Sequence, residues 1–200
     1  MPEPGNPSHS RRSTRSHQAI LQAALALCRE NGYASVTIEG IAARAGVGKQ
    51  TIYRWWPSKA AVVFDAFADV APGFQAPHTG DLTADFRTFL FKVVRFLNDP
   101  DFGPCIAALI GEAQRDPDVR SMFVERFAES RLPRRGSIMA RLESAQESGE
   151  LPTSLDLSVL LEIVFGALYH RLLLGSGPLD KRYARLVVDT VLSGVGNASE

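Results

Sequence analysis

The segment TIYRWWPSK, Thr51–Lys59, gathers side chains that donate hydrogen bonds or carry positive charge. It contains both tryptophans of the chain, together with one tyrosine, one arginine and one lysine. Indole, phenol, guanidinium and ammonium groups are donors that suit phosphate oxygens and the acceptor edges of bases. The chemistry that this segment predicts is noncovalent recognition of a surface rich in anions.

The positive charge of the chain is concentrated at its N-terminal end. Residues 1–60 carry eight Lys or Arg side chains against three acidic ones, a net charge of +5, whereas the remaining residues carry −5. This asymmetry is typical of a protein that meets a polyanion with one end alone. Clustered charges on a solvated face would give the same composition, so the charge does not decide between the two.

The sequence holds no recognisable catalytic or metal-binding motif. The histidines are scattered, and neither Glu-x-x-His nor His-Glu-x-x-His occurs. The two cysteines, Cys28 and Cys105, are far apart and predict buried thiols, with redox sensing or a ligand contact as the alternative. We therefore expect no enzymatic activity, no cofactor and no metal site.

Neither a membrane span nor a secretory signal is predicted. The most apolar segment, Val159–Gly175, is interrupted by charged residues and is shorter than the roughly 20 apolar residues that cross a bilayer. Residues 1–13 are rich in Pro, Ser and Arg and predict a disordered basic tail. We expect a cytoplasmic protein without a membrane partner.

Short helices must position the donor-rich segment. Thr37 precedes the periodic segment 38–44, a tight turn at Ala45-Gly46-Val47 ends it, and a second short helix is predicted over 49–55. Longer helices are predicted on both sides, one from near Ser13 or Thr14 to about residue 31 and one from residue 58 to about 70. Two short helices joined by a glycine turn form a helix-turn-helix.

The second short helix has one buried and one exposed side. Ile41, Ala42, Val47 and Ile52 can close a small core. The outward side is left with the polar residues Lys49, Gln50, Thr51, Tyr53 and Arg54. Such side chains can contact base edges in a major groove, while one tryptophan lies at the sugar-phosphate backbone and the other fills the core.

Beyond residue 70 the sequence again predicts helices. Residues 71–80, rich in Pro and Gly, are predicted to be a linker, and residues 81–200 to form a second helical domain. Strand-like alternation nowhere extends over more than a few residues. The predicted fold is all-α, with a three-helix helix-turn-helix domain over 14–70 followed by a helical bundle for ligand binding and dimerisation.

The stretch GYASVTIEGIAARAGVGKQTIYRWWPSK resembles the DNA-binding domain of the tetracycline-repressor (TetR/AcrR) family of bacterial transcriptional regulators. It matches the family's Gly-aromatic, Thr, Ile-Ala, Ala-Gly-Val, Thr-hydrophobic-Tyr, aromatic-pair and Ser-Lys positions in order and spacing. The resemblance covers about Thr14–Val70. The end of the chain, from Ser154, is similar to the ligand-binding and dimerisation domains of one subgroup of the family.

The resemblance assigns DNA contacts to Thr37, Lys49, Gln50, Thr51, Tyr53, Trp55 and Lys59. Lys49, Gln50 and Thr51 would lie over bases and the others at phosphates, whereas Trp56 falls where the family has a buried Phe. Gly48, Gln50 and Trp55 depart from the usual residues of the family. Because a Gln can pair with adenine, the operator sequence of a relative does not transfer to this chain.

The resemblance further implies a homodimer that binds a palindromic operator in double-stranded DNA and is released by a small-molecule effector. Two recognition helices about 34–36 Å apart match such a palindrome. The dimer interface is predicted at Leu161, Val164, Phe165, Leu168, Leu172, Val188 and Val191. A hydrophobic or aromatic effector is predicted to contact Phe86, Phe89, Cys105, Met122, Phe123, Phe127, Tyr169 and His170.

Alternatives to this interpretation stay open. The apolar residues of the last two helices, and the aromatic residues of the middle ones, would also serve as ordinary intramolecular core. The chain would then be a DNA-binding architectural protein without an effector. Activation differs from repression only in where the operator lies, and the sequence carries no information on that.

Overall fold

A computed structural model of the chain describes residues 7–70, 74–130 and 137–197. Within these ranges every regular element is helical, as the sequence predicted. In chain order the α-helices are α1 (Pro7–Asn31), α2 (Ile38–Ala45), α3 (Lys49–Tyr53), α4 (Lys59–Val70), α5 (Leu82–Leu97), α6 (Gly103–Ala113), α7 (Pro117–Ser130), α8 (Ile138–Glu147), α9 (Leu157–Leu174) and α10 (Lys181–Asn197).

The chain packs into two compact units. The first comprises Met1–Ala71 with Pro104–Met122, and the second comprises Pro72–Gly103 with Phe123–Glu200. Helix α1 begins at Pro7, earlier than the predicted start near Ser13, because proline is well tolerated in the first turn of a helix. The rest of the predicted tail, residues 1–6, lies outside the described residues.

The helix-turn-helix of the first unit is fixed by two local features. The Thr37 hydroxyl accepts a hydrogen bond from the Gly40 amide at 3.0 Å and so caps α2. Gly46 ends α2 with a φ of 67°, a left-handed conformation that glycine adopts without strain. Ile41 and Ile52, both 0% exposed, close the small core that the sequence predicted.

Helix α6 packs with the first unit, although the sequence placed residues 104–122 in the C-terminal domain. The Tyr33 hydroxyl donates to the Glu112 carboxylate at 2.5 Å, and the Cys105 sulfur lies 4.0 Å from the Cys28 carbonyl oxygen. These contacts join residues far apart in the chain, which local sequence patterns do not reveal. Both cysteines are buried free thiols, as predicted. The pKa of Cys28 is raised by a side-chain hydrogen bond with Cys105 and by burial, so this thiol stays protonated.

In the second unit, α5 packs against α8 and α10, and α9 packs against α8 and α10. Helices α5 and α9 lie within residues 81–200, where the sequence predicted a second helical domain. Asp81 caps α5 by accepting from the Ala84 amide, and Asp156 caps α9 by accepting from the Ser158 and Val159 amides.

A charged network is buried inside the second unit. Arg141 donates from Nε to Asp85 Oδ2 at 2.7 Å, and these two side chains are only 2% and 1% exposed. Asp85 also accepts from the Thr79 amide and hydroxyl, and the remaining Arg141 nitrogens donate to Glu150 at 3.3 and 3.2 Å. This network links α5, α8 and the turns next to them.

Helix α9 would be long and apolar enough to cross a membrane by its length and composition, with a mean hydropathy of 1.7. Core helices of soluble proteins have the same properties. One side of α9 does serve as core, because Leu160, Leu161, Val164 and Leu168 are buried within the protomer.

Candidate nucleic-acid interface

Helix α3 presents a row of polar side chains to solvent. Lys49, Gln50 and Arg54 are exposed, and Tyr53 is 54% exposed although it is aromatic. Ile52, on the opposite side, is completely buried. Thr51 is half-buried between the two sides. The structure thus places these predicted contact residues on one short helix, with donors and acceptors directed away from the core.

The two tryptophans have different environments, which explains why they are adjacent. Trp56 is 2% exposed and donates its indole N–H to Asp65 Oδ2 at 2.8 Å, so it is the core residue of the pair, as predicted. Trp55 is half-buried, with its ring edge-on to Trp56 at 5.6 Å. Its own indole therefore remains close to the surface, next to Arg54, whose guanidinium lies 4.7 Å from the ring centre.

His17 completes this aromatic cluster, and sequence reasoning missed it. Its ring centre lies 4.6 Å from Trp56 and 5.4 Å from Trp55. The contact crosses from α1 to the end of α3, so it joins residues almost forty positions apart and has no local pattern. His17 therefore fixes the first helix of the unit to the aromatic pair.

The cations predicted to contact DNA already have partners within the first unit. Lys49 forms an ion pair with Glu39 of α2, with Nζ and Oε1 2.9 Å apart. This hydrogen bond raises the pKa of Lys49 and lowers that of Glu39, so both stay charged at neutral pH. Lys59, at the start of α4, has its ammonium 4.5 Å above the Tyr33 ring. Tyr33 is in turn held by Glu112, so the position of Lys59 is linked to α6.

The Thr37 hydroxyl caps α2 and can still donate a hydrogen bond to another group. Its oxygen accepts from the Gly40 amide, and the residue is exposed. A hydroxyl that accepts one hydrogen bond can still donate another. The cap geometry is therefore compatible with the predicted donation to a phosphate.

The residues predicted to contact an effector are divided between the two units. In the second unit, the rings of Phe86, Phe89, Phe165 and Tyr169 follow one another at centre-to-centre distances of 6.5, 6.4 and 6.2 Å. Phe86 and Phe89 are buried, and Phe123 and Tyr169 are half-buried. In the first unit, Cys105 is buried beside Cys28 and Met122 is half-buried. The side chain of Phe127 lies outside the described residues.

His170 is a predicted effector contact that lies at the surface of the second unit. It is exposed, and its Nδ1 lies 3.0 Å from the Ser176 hydroxyl in the turn after α9. The helical phase of α9 carries it away from the side that holds Leu168, which is fully buried. An open cavity of about 860 Å³ lies elsewhere in the second unit, between the start of α5 and the turn that follows α8. The described residues that line it include none of the predicted effector contacts.

The predicted dimer contacts are mostly inward-facing. Leu161 is 2% exposed, and Val164, Leu168 and Val188 are 0% exposed, so their own protomer encloses them. For these four, the structure supports the alternative that they are intramolecular core. Phe165, Leu172 and Val191 are half-buried. Leu161, Val164 and Leu168 lie on the inner side of α9 and Val188 lies on the inner side of α10. Because apolar residues also occupy much of the outer side of α9, its sequence alone does not show which side faces the core.

The apolar residues that do reach the surface form a different set, which we call the α9–α10 stripe. It consists of Val159, Ile163, Leu173, Leu174 and Leu186, which are 49, 56, 44, 70 and 52% exposed. The spacing of Val159, Ile163 and Leu173 keeps them on one side of α9. Among the described residues of the second unit, this stripe gathers most of the large exposed apolar side chains.

Two sequence families match the chain. Residues 20–66 match the family described as bacterial regulatory proteins, tetR family. Residues 76–191 match the tetracyclin repressor-like C-terminal domain. The two matches together extend from α1 into α10.

Individual relatives agree with these families. The chain is 36% identical over 181 residues to the HTH-type transcriptional regulator YdeS of Bacillus subtilis (strain 168), covering 90% of this chain and 89% of the relative. It is 29% identical over 187 residues to the DNA-binding transcriptional repressor TetR of Mycobacteroides abscessus, covering 92% and 94%. The crystal structure of the TetR family transcription regulator SCO0332 has a TM-score of 0.78 and 33% identity, covering 90% of this chain and 98% of that one.

Proposed function

The chain belongs to the TetR family of bacterial transcriptional regulators and carries its DNA-binding helix-turn-helix, and we propose that it acts in the cytoplasm as a homodimeric repressor without enzymatic activity. In this proposal it binds a palindromic operator and is released by a small, hydrophobic or aromatic effector. The observation that carries the proposal is the row of exposed donors on α3, with Tyr53 54% exposed beside Lys49 and Gln50. A core would bury such a ring, whereas a DNA interface uses it.

We assign the DNA contacts by the position of each side chain. Lys49, Gln50 and Thr51 enter the major groove, because they lie at the first turn of the recognition helix. Thr37, Tyr53 and Trp55 donate to phosphates from the flanks of that helix. Arg54 and Lys59 supply the charge that favours the backbone of either strand.

The α9–α10 stripe supports dimerisation. Several large apolar side chains on the exposed side of one helix are typical of a surface that a partner covers. The protomer covers one side of α9 with its own core, and a second copy would cover Val159, Ile163 and Leu186 by two-fold symmetry. The half-buried predicted contacts Phe165, Leu172 and Val191 would lie at the margin of that interface.

The aromatic series Phe86, Phe89, Phe165 and Tyr169 supports an apolar effector site in the second unit, because aromatic and aliphatic side chains line most small-molecule sites. Repression is supported by the relative from Mycobacteroides abscessus, which is a DNA-binding transcriptional repressor and is similar to this chain over 94% of its own length. Linkage requires the effector to bind the DNA-incompetent state more tightly, with a coupling of about 1–3 kcal/mol.

Selection of bound duplexes from a random pool tests the DNA-binding assignment. Wild-type protein should enrich a palindrome with half-sites one duplex turn apart. Gln50→Ala should change the preferred base at one position of each half-site, because it removes a side chain at the groove. Tyr53→Phe should leave the motif unchanged and weaken binding several-fold, because it removes one phosphate donor only.

The two variants serve as controls for each other, since both residues are exposed and neither is part of the core. A motif that responds to Tyr53→Phe and not to Gln50→Ala would contradict the assignment of base and backbone contacts. If wild-type protein that is shown to be dimeric enriches no motif, the proposed repressor function is wrong.

A thermal-shift screen against metabolites tests the effector. A ligand that binds only the folded protein at about 100 times its Kd stabilises it by about 2.7 kcal/mol, which raises the melting temperature by several degrees. The same compound should release the operator in a mobility-shift assay. If stabilising compounds leave operator binding unchanged, the protein is a DNA-binding protein that this ligand does not regulate.

A further inference from the structure

The ion pair between Glu39 and Lys49 places a carboxylate at the front of the recognition helix. Glu39 lies in the first turn of α2 and Lys49 is the first residue of α3, with Oε1 and Nζ 2.9 Å apart. Both side chains stay largely exposed, Lys49 by 54% and Glu39 by 65%. The pair therefore belongs to the same surface as Gln50 and is accessible to a ligand that approaches α3.

A negative charge at this place is unfavourable for general DNA affinity. Residues 1–60 carry a net charge of +5, and only three of them are acidic. A carboxylate repels every phosphate, and the ion pair cancels the charge that Lys49 would otherwise offer to the backbone. An exposed ion pair contributes little to the stability of the fold, and a carboxylate in the first turn of a helix contributes little more, so stability is a weak reason for Glu39.

The chemistry of the carboxylate limits what it can gain from DNA. An ionised carboxylate only accepts hydrogen bonds, and phosphate and sugar-ring oxygens are also acceptors. The carboxylate therefore forms no hydrogen bond with the oxygens of the DNA backbone. In the major groove the donors are the amino groups of cytosine and adenine, and Glu is suited to cytosine N4. A favourable contact between Glu39 and DNA must therefore be made with a base edge.

We propose that Glu39 is a specificity-determining residue that accepts a hydrogen bond from a cytosine amino group in each operator half-site. This inference rests on the proposed function and adds a base contact from α2 to those of α3. Lys49, held by the same carboxylate, donates to guanine O6 or N7 at the neighbouring position. The pair restricts the flexible lysine stem before DNA is bound, which reduces the entropy lost on binding.

Operator selection with Glu39→Gln, Glu39→Ala and Glu30→Gln tests this inference. Glu30→Gln is the matched control, because Glu30 also forms an exposed ion pair in the first unit, with Arg44, at 2.5 Å. Wild type should require cytosine at one position of each half-site. Glu39→Gln should move that preference towards adenine, since Gln pairs with adenine N6 and N7. Glu39→Ala should lose the preference, and both should bind the wild-type operator about tenfold more weakly or worse.

Glu30→Gln should keep the wild-type motif and affinity. Melting temperatures of all three variants should stay near that of wild type, because exposed pairs contribute little to stability. An unchanged motif with uniformly tighter binding for both Glu39 variants would overturn the inference, because Glu39 would then only repel phosphates. If wild type itself enriches no motif, the proposed function fails and this inference fails with it.

Discussion

Ile163→Asp is expected to convert the protein into a monomer and to weaken operator binding about 100-fold or more. Ile163 is 56% exposed and belongs to the α9–α10 stripe. A carboxylate placed there would have to be desolvated on association, without a partner charge. In a dimer, binding of one helix-turn-helix to its half-site holds the second at a high effective concentration near the other half-site. Loss of this linkage lowers affinity by factors of about 10²–10⁴. Sedimentation equilibrium and a mobility-shift titration measure the two effects.

Val124→Asp is the control for this experiment. Val124 is 63% exposed on α7, in the same unit but outside the stripe. This substitution should leave unchanged both the mass measured by sedimentation equilibrium and the affinity for the operator. Phe165 is a less suitable site for the charge, because its ring lies 6.4 Å from that of Phe89 inside the protomer, and Asp there would disturb the fold itself. A dimeric Ile163→Asp protein of normal affinity would place the interface elsewhere.

Asp85→Asn is expected to lower the free energy of unfolding by about 3–5 kcal/mol. The substitution leaves the Arg141 guanidinium buried with its nearest counter-charge removed, and breaking one partner of a buried pair costs this much. Glu150 still contacts Arg141 at 3.2 Å and compensates part of its charge, which limits the loss of stability. Urea unfolding followed by circular dichroism gives the midpoint and slope from which the change is obtained.

Asp189→Asn is the matched control for Asp85→Asn. Asp189 pairs with Arg87 in the same unit at 2.5 Å, but these side chains are 37% and 35% exposed. Exposed pairs contribute about 0–1 kcal/mol, so this variant should be nearly as stable as wild type. Equal losses for the two variants would show that burial of the Asp85–Arg141 pair has no special energetic role.

The pH dependence of stability provides a second readout for Asp85. Burial raises the pKa of this carboxyl, but the hydrogen bonds from Arg141 and Thr79 lower it more, so the pKa lies below its ordinary value. The stabilisation is therefore complete at neutral pH, above the ordinary value of roughly 3.9, and is lost as the pH falls through the lowered one. Wild type should lose more stability on acidification than Asp85→Asn does.

Local patterns in the sequence determined the helix-turn-helix. Gly46 was identified as the turn residue, and its left-handed φ of 67° is a conformation that a side chain would strain. Ile41 and Ile52 were assigned to the small core because each is apolar on a short helix next to the turn, and both are fully buried. The row from Lys49 to Arg54 was assigned to the surface for the same reason. These features depend on residues within one or two helical turns of each other, so the sequence contains the necessary information.

Contacts between distant segments could not be predicted from local sequence patterns. Three such contacts depend on how helices cross. They are the pairing of Lys49 with Glu39, the position of Lys59 over Tyr33 and the contact of the His17 ring with that of Trp56. The same holds for α6, which packs with the first unit through Glu112. Charge and aromatic character were visible in the sequence, but the partners were not.

Helix α9 shows this limit most clearly. Its length and apolar composition were evident, yet Leu161 and Val164 were expected at a partner when they are 2% and 0% exposed. An amphipathic helix reveals its inner side by the polar residues on the other side, but the exposed side of α9 carries Glu162 and His170 among large apolar residues and so marks that side only weakly. The inner side of α9 is therefore set by the packing of α8 and α10 against it, and Ile163 is left for the surface.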